Sequence, residues 1–199
     1  MENKADNDEL AEQHTLHTRI SKRGGFTLAE VAMASAVLTI AAGGLMSSII
    51  ASMALNRVNN ETALAQTYAR RAVERLQSVD FASTFASFNA NAADDPTGPG
   101  TAPGANFDAF GLDPLATDVD GRPGEIIFPT VTIGATQQLR EDVNDPALGM
   151  PRDLNGDGLP PDAVDHAGDY RVLPVRVRVQ WRGATGPRSI VVETLLTAR

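Results

Sequence analysis

The chain has 199 residues, room for one domain of ordinary size plus appendages, and carries a formal net charge of -8 with no cysteine. The acid excess disfavours nucleic acid as a partner, because phosphate neutralisation needs clustered Lys and Arg, and the missing thiols exclude disulfides, thiolate metal sites and a cysteine nucleophile. Lysine occurs only at Lys4 and Lys22 and histidine only at His14, His17 and His166, so beyond residue 25 there is no lysine for phosphate or Schiff-base chemistry and no zinc site resting on two histidines.

Residues 1–25 are polar and end in a basic cluster, Arg19, Lys22 and Arg23, followed by Gly24-Gly25. From Val31 to Leu55 no charged residue occurs. As a helix that stretch spans about 37 Å, more than the hydrocarbon core of a bilayer. The basic cluster is expected to hold the amino-terminal side in the cytoplasm, with the rest of the chain outside. An ordinary secretory signal has a shorter apolar run followed by a small-residue cleavage site, and this order is different.

The run Arg23-Gly24-Gly25-Phe26-Thr27-Leu28-Ala29-Glu30 resembles the cleavage and methylation motif of type IV prepilins and type II secretion pseudopilins. The resemblance implies a leader, residues 1–25, removed between Gly25 and Phe26 by a prepilin peptidase that also methylates Phe26. It implies that the helix is retained. It further implies a single-pass protein of the bacterial inner membrane that meets a membrane assembly platform and other pilin or pseudopilin subunits, and then enters a pilus or pseudopilus. Glu30 takes the assembly role in that family, its carboxylate pairing with the amino terminus of a neighbouring subunit and setting the axial register. The bland reading is a membrane-border carboxylate that snorkels to the headgroups.

No proline precedes Pro96, so one helix is predicted from Phe26 to about Asp80, about 80 Å long. Residues 26–55 form its transmembrane part, where Gly43-Gly44 either allows close helix packing or loosens the helix. Residues 56–81 form an amphipathic extension: Leu55, Val58, Thr62, Ala65, Ala69, Ala72, Leu76 and Val79 make an apolar stripe. Arg57, Glu61, Arg70, Arg71, Glu74 and Arg75 are expected on the opposite, wet side, with Arg70 and Glu74 as an i,i+4 pair. The small alanines suit packing against the protein's own sheet.

Residues 82–124 are rich in Asn, Asp, Pro, Gly, Ala and Ser and read as an irregular loop region. A small antiparallel β domain is expected over 125–199. Glu125 to Ile133 reads as one short strand, demoted to an edge or a bulge by Pro129. Val175, Val177, Val179 and Trp181 alternate with Arg176, Arg178, Gln180 and Arg182, the period of a half-buried strand. After a turn at Gly183–Pro187, Ser189 to Thr197 supplies its hairpin partner. This closing hairpin is also similar to those of minor pilins and minor pseudopilins. The fold class expected is α+β and pilin-like, a long N-terminal helix packed on a small antiparallel sheet.

Asp153-Leu154-Asn155-Gly156-Asp157-Gly158 has the alternating oxygen donors and the turn glycine of a calcium loop. The usual twelfth-position carboxylate is replaced by Val164, so Asp162 or Asp165 would have to close the shell within the acidic loop 153–165. The same residues also read as a solvated acidic turn. Asp118-Val119-Asp120-Gly121 is a shorter echo. Arg171, Arg176, Arg178 and Arg182 read as the solvent face of a strand rather than a phosphate contact. No nucleophile elbow, nucleotide loop or paired histidine occurs, so no catalytic constellation can be assembled and no cofactor is required. The expected function is a structural subunit. The competing class is a monomeric, membrane-anchored, extracytoplasmic binding module, with calcium as an optional ligand.

Overall fold

The computed structural model describes residues 24–134 and 136–198. The architecture is α+β, with one long amino-terminal helix and a small antiparallel sheet. Contacts divide the chain into two units, one ending at Ile49 and one running from Ile50 onward.

Helix α1 runs Leu28–Ser78 with acidic Glu30 in its first turn and basic Arg75 in its last, the charge order that complements a helix dipole. In the first unit every described residue is exposed. The helix is long and apolar enough to cross a membrane.

In the second unit α1 buries one stripe, Glu61, Ala65, Ala69, Ala72 and Leu76, at steps of three and four. The apolar stripe read from sequence is therefore present, with Leu55 outside it and exposed. Glu61 corrects the expectation of a wet face: it is 7% exposed and belongs to the buried side. Trp181 Nε1 donates to its Oε2 at 3.2 Å and Arg57 Nε donates to its Oε1 at 2.8 Å, so the burial is compensated. No ion pair joins Arg70 and Glu74 among the described residues.

The region expected to be irregular opens with a second helix, α2, Phe81–Phe88, whose Phe85 and Phe88 are each 1% exposed. Composition hid it because the segment is short and carries no charge. Tyr170 bridges its first turn: the hydroxyl donates to the Phe81 carbonyl and accepts from the Phe85 N–H.

Strands β1 (Asn106–Phe107), β2 (Gly124–Ile127), β5 (Val172–Gly183) and β6 (Gly186–Thr197) form a four-stranded antiparallel sheet in the order β1-β2-β5-β6. Strands β3 (Thr130–Ile133) and β4 (Thr136–Leu139) form a separate two-stranded ladder. The single strand expected over 125–133 is thus two strands in two sheets. Pro129 has no N–H for a ladder, and the chain changes sheets there. At the start of β2 a side chain on Gly124 would meet the Phe107 ring at 2.2 Å, so only glycine lets that ring lie across the strand.

The closing hairpin is longer than its alternation suggested. Gly183 pairs with Gly186, leaving a two-residue turn at Ala184-Thr185. Leu173, Val175, Val177 and Val179 are 0% exposed and Trp181 is 1% exposed, and they share one core with the helix alanines, Phe85, Phe88 and Phe128.

The alanines set how closely helix and sheet approach. Ala69→Leu, at a position that is 0% exposed, is expected to lower unfolding stability by about 1–3 kcal/mol through overpacking. Ala63→Leu, on the exposed side, is expected to stay within about 0.5 kcal/mol. Denaturant titration of the two variants in one detergent checks the difference.

Candidate functional site

Gly24, Gly25 and Phe26 precede α1 in open backbone, with nothing within 4 Å of a side chain built on either glycine. Phe26 is 87% exposed. The residues through position 23, with Arg19, Lys22 and Arg23, lie outside those the structure describes.

Glu30, expected from the sequence to act in assembly, makes local bonds that this expectation did not include. Its Oε2 accepts from the Thr27 N–H at 2.8 Å and the Thr27 hydroxyl at 2.9 Å, while Thr27 Oγ1 accepts from the Glu30 N–H at 3.2 Å. This is a capping box, and its sequence signature, Thr-x-x-Glu ahead of an apolar run, was available to be read.

The acidic loop divides in two. In its front half Asp153 accepts from the N–H groups of Gly156 at 2.6 Å and Gly158 at 2.9 Å. Asn155 Oδ1 accepts from Asp157 N–H, and Asp157 Oδ1 accepts from Leu159 N–H. These bonds fold the turn that the spacing predicts, and the backbone donors of Gly158 and Gly156 hold the Asp153 carboxyl below its usual range.

The back half points elsewhere. Asp165 Oδ1 accepts from the N–H groups of Leu139 on β4 and of Ala167. Asp162 accepts from Val164 N–H and lies against His166. No three of Asp153, Asp157, Asp162 and Asp165 bring oxygens within 4.8 Å of one another. The oxygens of Asp153, Asn155 and Asp157 accept from the turn's own N–H groups, and Asp162 and Asp165 bond elsewhere.

The structure instead gathers Glu141, Asp162 and His166. His166 is 4% exposed. Its Nδ1 is 3.1 Å from Asp169 Oδ1, and its Nε2 is 3.1 Å from Asp162 Oδ1 and 3.8 Å from Glu141 Oε1. Burial acts to lower its pKa, but the hydrogen bonds to Asp162 and Asp169 and the charge of Glu141 outweigh it and hold the ring above the ordinary histidine range. Sequence reasoning missed this group because Glu141 is far from His166 in the chain and a lone histidine carries no spacing signal.

The Asp118-Val119-Asp120 echo is a turn closed by its own bonds. Asp120 accepts from the Arg122 N–H at 3.0 Å and from the Asn106 amide. Burial and the adjacent Asp120 push the Asp118 carboxyl up. The arginines of β5 meet carboxylates: Arg176 bonds Asp145 with two nitrogens, at 2.9 and 2.8 Å, and Glu193 at 2.9 Å, and Arg178 bonds Glu125. Arg171 and Arg182 are exposed.

No protein-family model, curated protein or solved structure matches the chain.

The Arg176 hydrogen bonds hold the Asp145 carboxyl below its usual range, against the opposing effect of burial. Because the folded pKa is depressed, the stability this pair contributes is complete above the ordinary aspartate value of about 3.9 and is lost as pH falls through the lower folded value. The expected outcome is that wild type is more stable than Asp145→Asn at about pH 6 and that the gap narrows at about pH 3. Thermal midpoints of both chains across that range measure it.

Proposed function

We propose that the chain is a structural subunit of a type IV pilus or a type II secretion pseudopilus, of the minor kind, processed between Gly25 and Phe26 and methylated on Phe26. The observation that carries this is the junction itself. An open Gly-Gly-Phe segment leads directly into a helix whose acidic residue stands in its first turn and whose apolar residues, from Leu28 to Leu55, lie exposed. Apolar side chains such as Ile40, 77% exposed, and Leu38, 70% exposed, need hydrocarbon or neighbouring helices around them.

In this reading the chain sits first in the inner membrane, amino terminus inside and sheet outside, before the assembly platform transfers it to the filament. Prepilin peptidase and sister subunits are its partners. The long helix followed by a small antiparallel sheet is the layout such a subunit requires.

A second reading, a monomeric anchored module using calcium, draws on two observations. Glu30 already has a local partner in Thr27, and Asp153, Asn155 and Asp157 fold the front of a calcium loop. In that case calcium would rest on these three residues, with ligands other than Asp162 and Asp165 completing the shell. Calcium addition would then raise the thermal midpoint, and Asp153→Ala would abolish the rise.

Mass spectrometry of the protein from its native envelope separates the two, since the subunit reading expects a methylated Phe26 as first residue. Glu30→Gln is the sharper variant. Glutamine at the third helical position keeps a capping box but not the charge, so leader removal should continue while filament incorporation drops by about tenfold or more, the effect of losing an interaction worth at least one decade. Wild-type incorporation would leave Glu30 as a cap alone.

A further inference from the structure

The segment between β4 and β5 buries a carboxylate for which no cation stands within hydrogen-bond reach. Glu141 is 2% exposed. Its Oε1 accepts from the N–H groups of Leu154 at 2.6 Å and Asn155 at 3.3 Å, and its one ion-pair contact among the described residues, His166 Nε2, is 3.8 Å away. That distance is outside hydrogen-bond range. A protonated His166 accounts for Asp162 and Asp169, since its two N–H groups are committed to them. It does not account for Glu141.

A metal ion at this point would meet three of the four side chains directly. The atoms offered by Glu141, Asp162 and His166 lie within 4.8 Å of one another. Bonds of about 2.0–2.1 Å at tetrahedral angles place zinc ligands about 3.4 Å apart. The observed separations from Nε2, 3.1 Å to Asp162 and 3.8 Å to Glu141, bracket that spacing. The other ring nitrogen already faces a carboxylate, Asp169 at 3.1 Å, the outer contact that fixes the tautomer of a metal-bound imidazole.

We propose that Glu141 Oε1, Asp162 Oδ1 and His166 Nε2 are three ligands of a divalent transition-metal site of the zinc class, with Asp169 orienting the imidazole. One imidazole with two carboxylates suits such an ion better than calcium, which takes oxygen donors alone. Its ligands are not the side chains of the Asp153–Gly158 turn, although the N–H groups of Leu154 and Asn155 in that turn hold Glu141 Oε1. Asp162 has an exposed side chain, 48% accessible, which gives the ion a path in and leaves water access for the fourth position. Binding takes the lone pair of Nε2, releasing a proton from it where one is present, so affinity falls in acid.

The structural consequence is a staple. Between β4 and β5 regular structure is limited to a three-residue helical turn at Pro146–Leu148, and the chain has no cysteine to cross-link it. An ion joining residue 141 to residues 162 and 166 closes that segment on itself.

The test uses the full chain in detergent, stripped with EDTA and titrated with zinc chloride alone. The expected result is one saturable zinc per chain that raises the thermal midpoint, with no competition from calcium. His166→Gln and Asp162→Asn should each weaken zinc by about tenfold or more, and Asp169→Asn by about 10–100-fold, the range for losing an outer contact. Asp108→Asn, at an exposed carboxylate outside this group, should leave zinc affinity unchanged. Asp162→Asn alters an accessible side chain and keeps the test valid if the buried His166→Gln fails to fold. Cobalt in place of zinc should give visible absorption bands that Asp162→Asn changes. Absence of saturable zinc binding, or binding that Asp162→Asn leaves at the wild-type level, overturns the proposal.

Discussion

The packing of the second unit depends on one buried carboxylate. Glu61 projects from α1 into the end of β5, where Trp181 Nε1 meets one oxygen and Arg57 the other. Leaving a charge there without either partner would cost far more than the net value of the pair, so the helix has one rotation and one height at which it can lie on the sheet. Gly183 completes the fit. A side chain at that position would meet Arg188 at 2.8 Å and Glu61 Oε2 at 3.2 Å. Below this contact the stripe of Ala65, Ala69 and Ala72 brings the backbone close to the sheet, and the fully buried valines of β5 fill the remaining space.

The alternation that predicted β5 and the three-and-four spacing that predicted the α1 stripe were legible because both are local and repeat. Val175 to Trp181 and Ala65 to Leu76 declare their buried faces within a few residues. Glu61 was misplaced by the same logic, since charge alone assigns it to water and its partner Trp181 is far along the chain. Tyr170, which bridges the first turn of α2, is equally remote from Phe81. The division of 124–133 between two sheets follows from Pro129, whose effect was visible but whose outcome depended on the ladder waiting for each half.

The candidate sites follow the same rule. The Thr27–Glu30 box and the front of the acidic loop lie within a few residues and could be read from spacing. The back of the loop could not, because its carboxylates answer to distant groups: Asp165 to the N–H of Leu139 on β4, and Asp162 to His166. The long connection between β4 and β5 joins core anchors, Leu148, Met150 and Leu154, to a set of polar contacts. Asp145 clasps Arg176 on β5, and Glu141 collects two N–H groups beside Leu154, whose side chain is itself 0% exposed. A segment with little regular structure satisfies its backbone by borrowing side-chain oxygens.

Glu30 shows how a structural role and a proposed assembly role can share one side chain. Both hydrogen bonds from Thr27 fall on Oε2. A carboxylate has two oxygens and about four acceptor positions, so the cap leaves Oε1 with acceptor capacity in hand. The cap also selects a rotamer and removes the entropy that a long flexible side chain would otherwise lose on meeting a partner. For the proposed subunit, a neighbouring amine would then find a carboxylate already oriented at the helix start. Capping and charge neutralisation are in that case successive uses of the same group, and the first prepares the second.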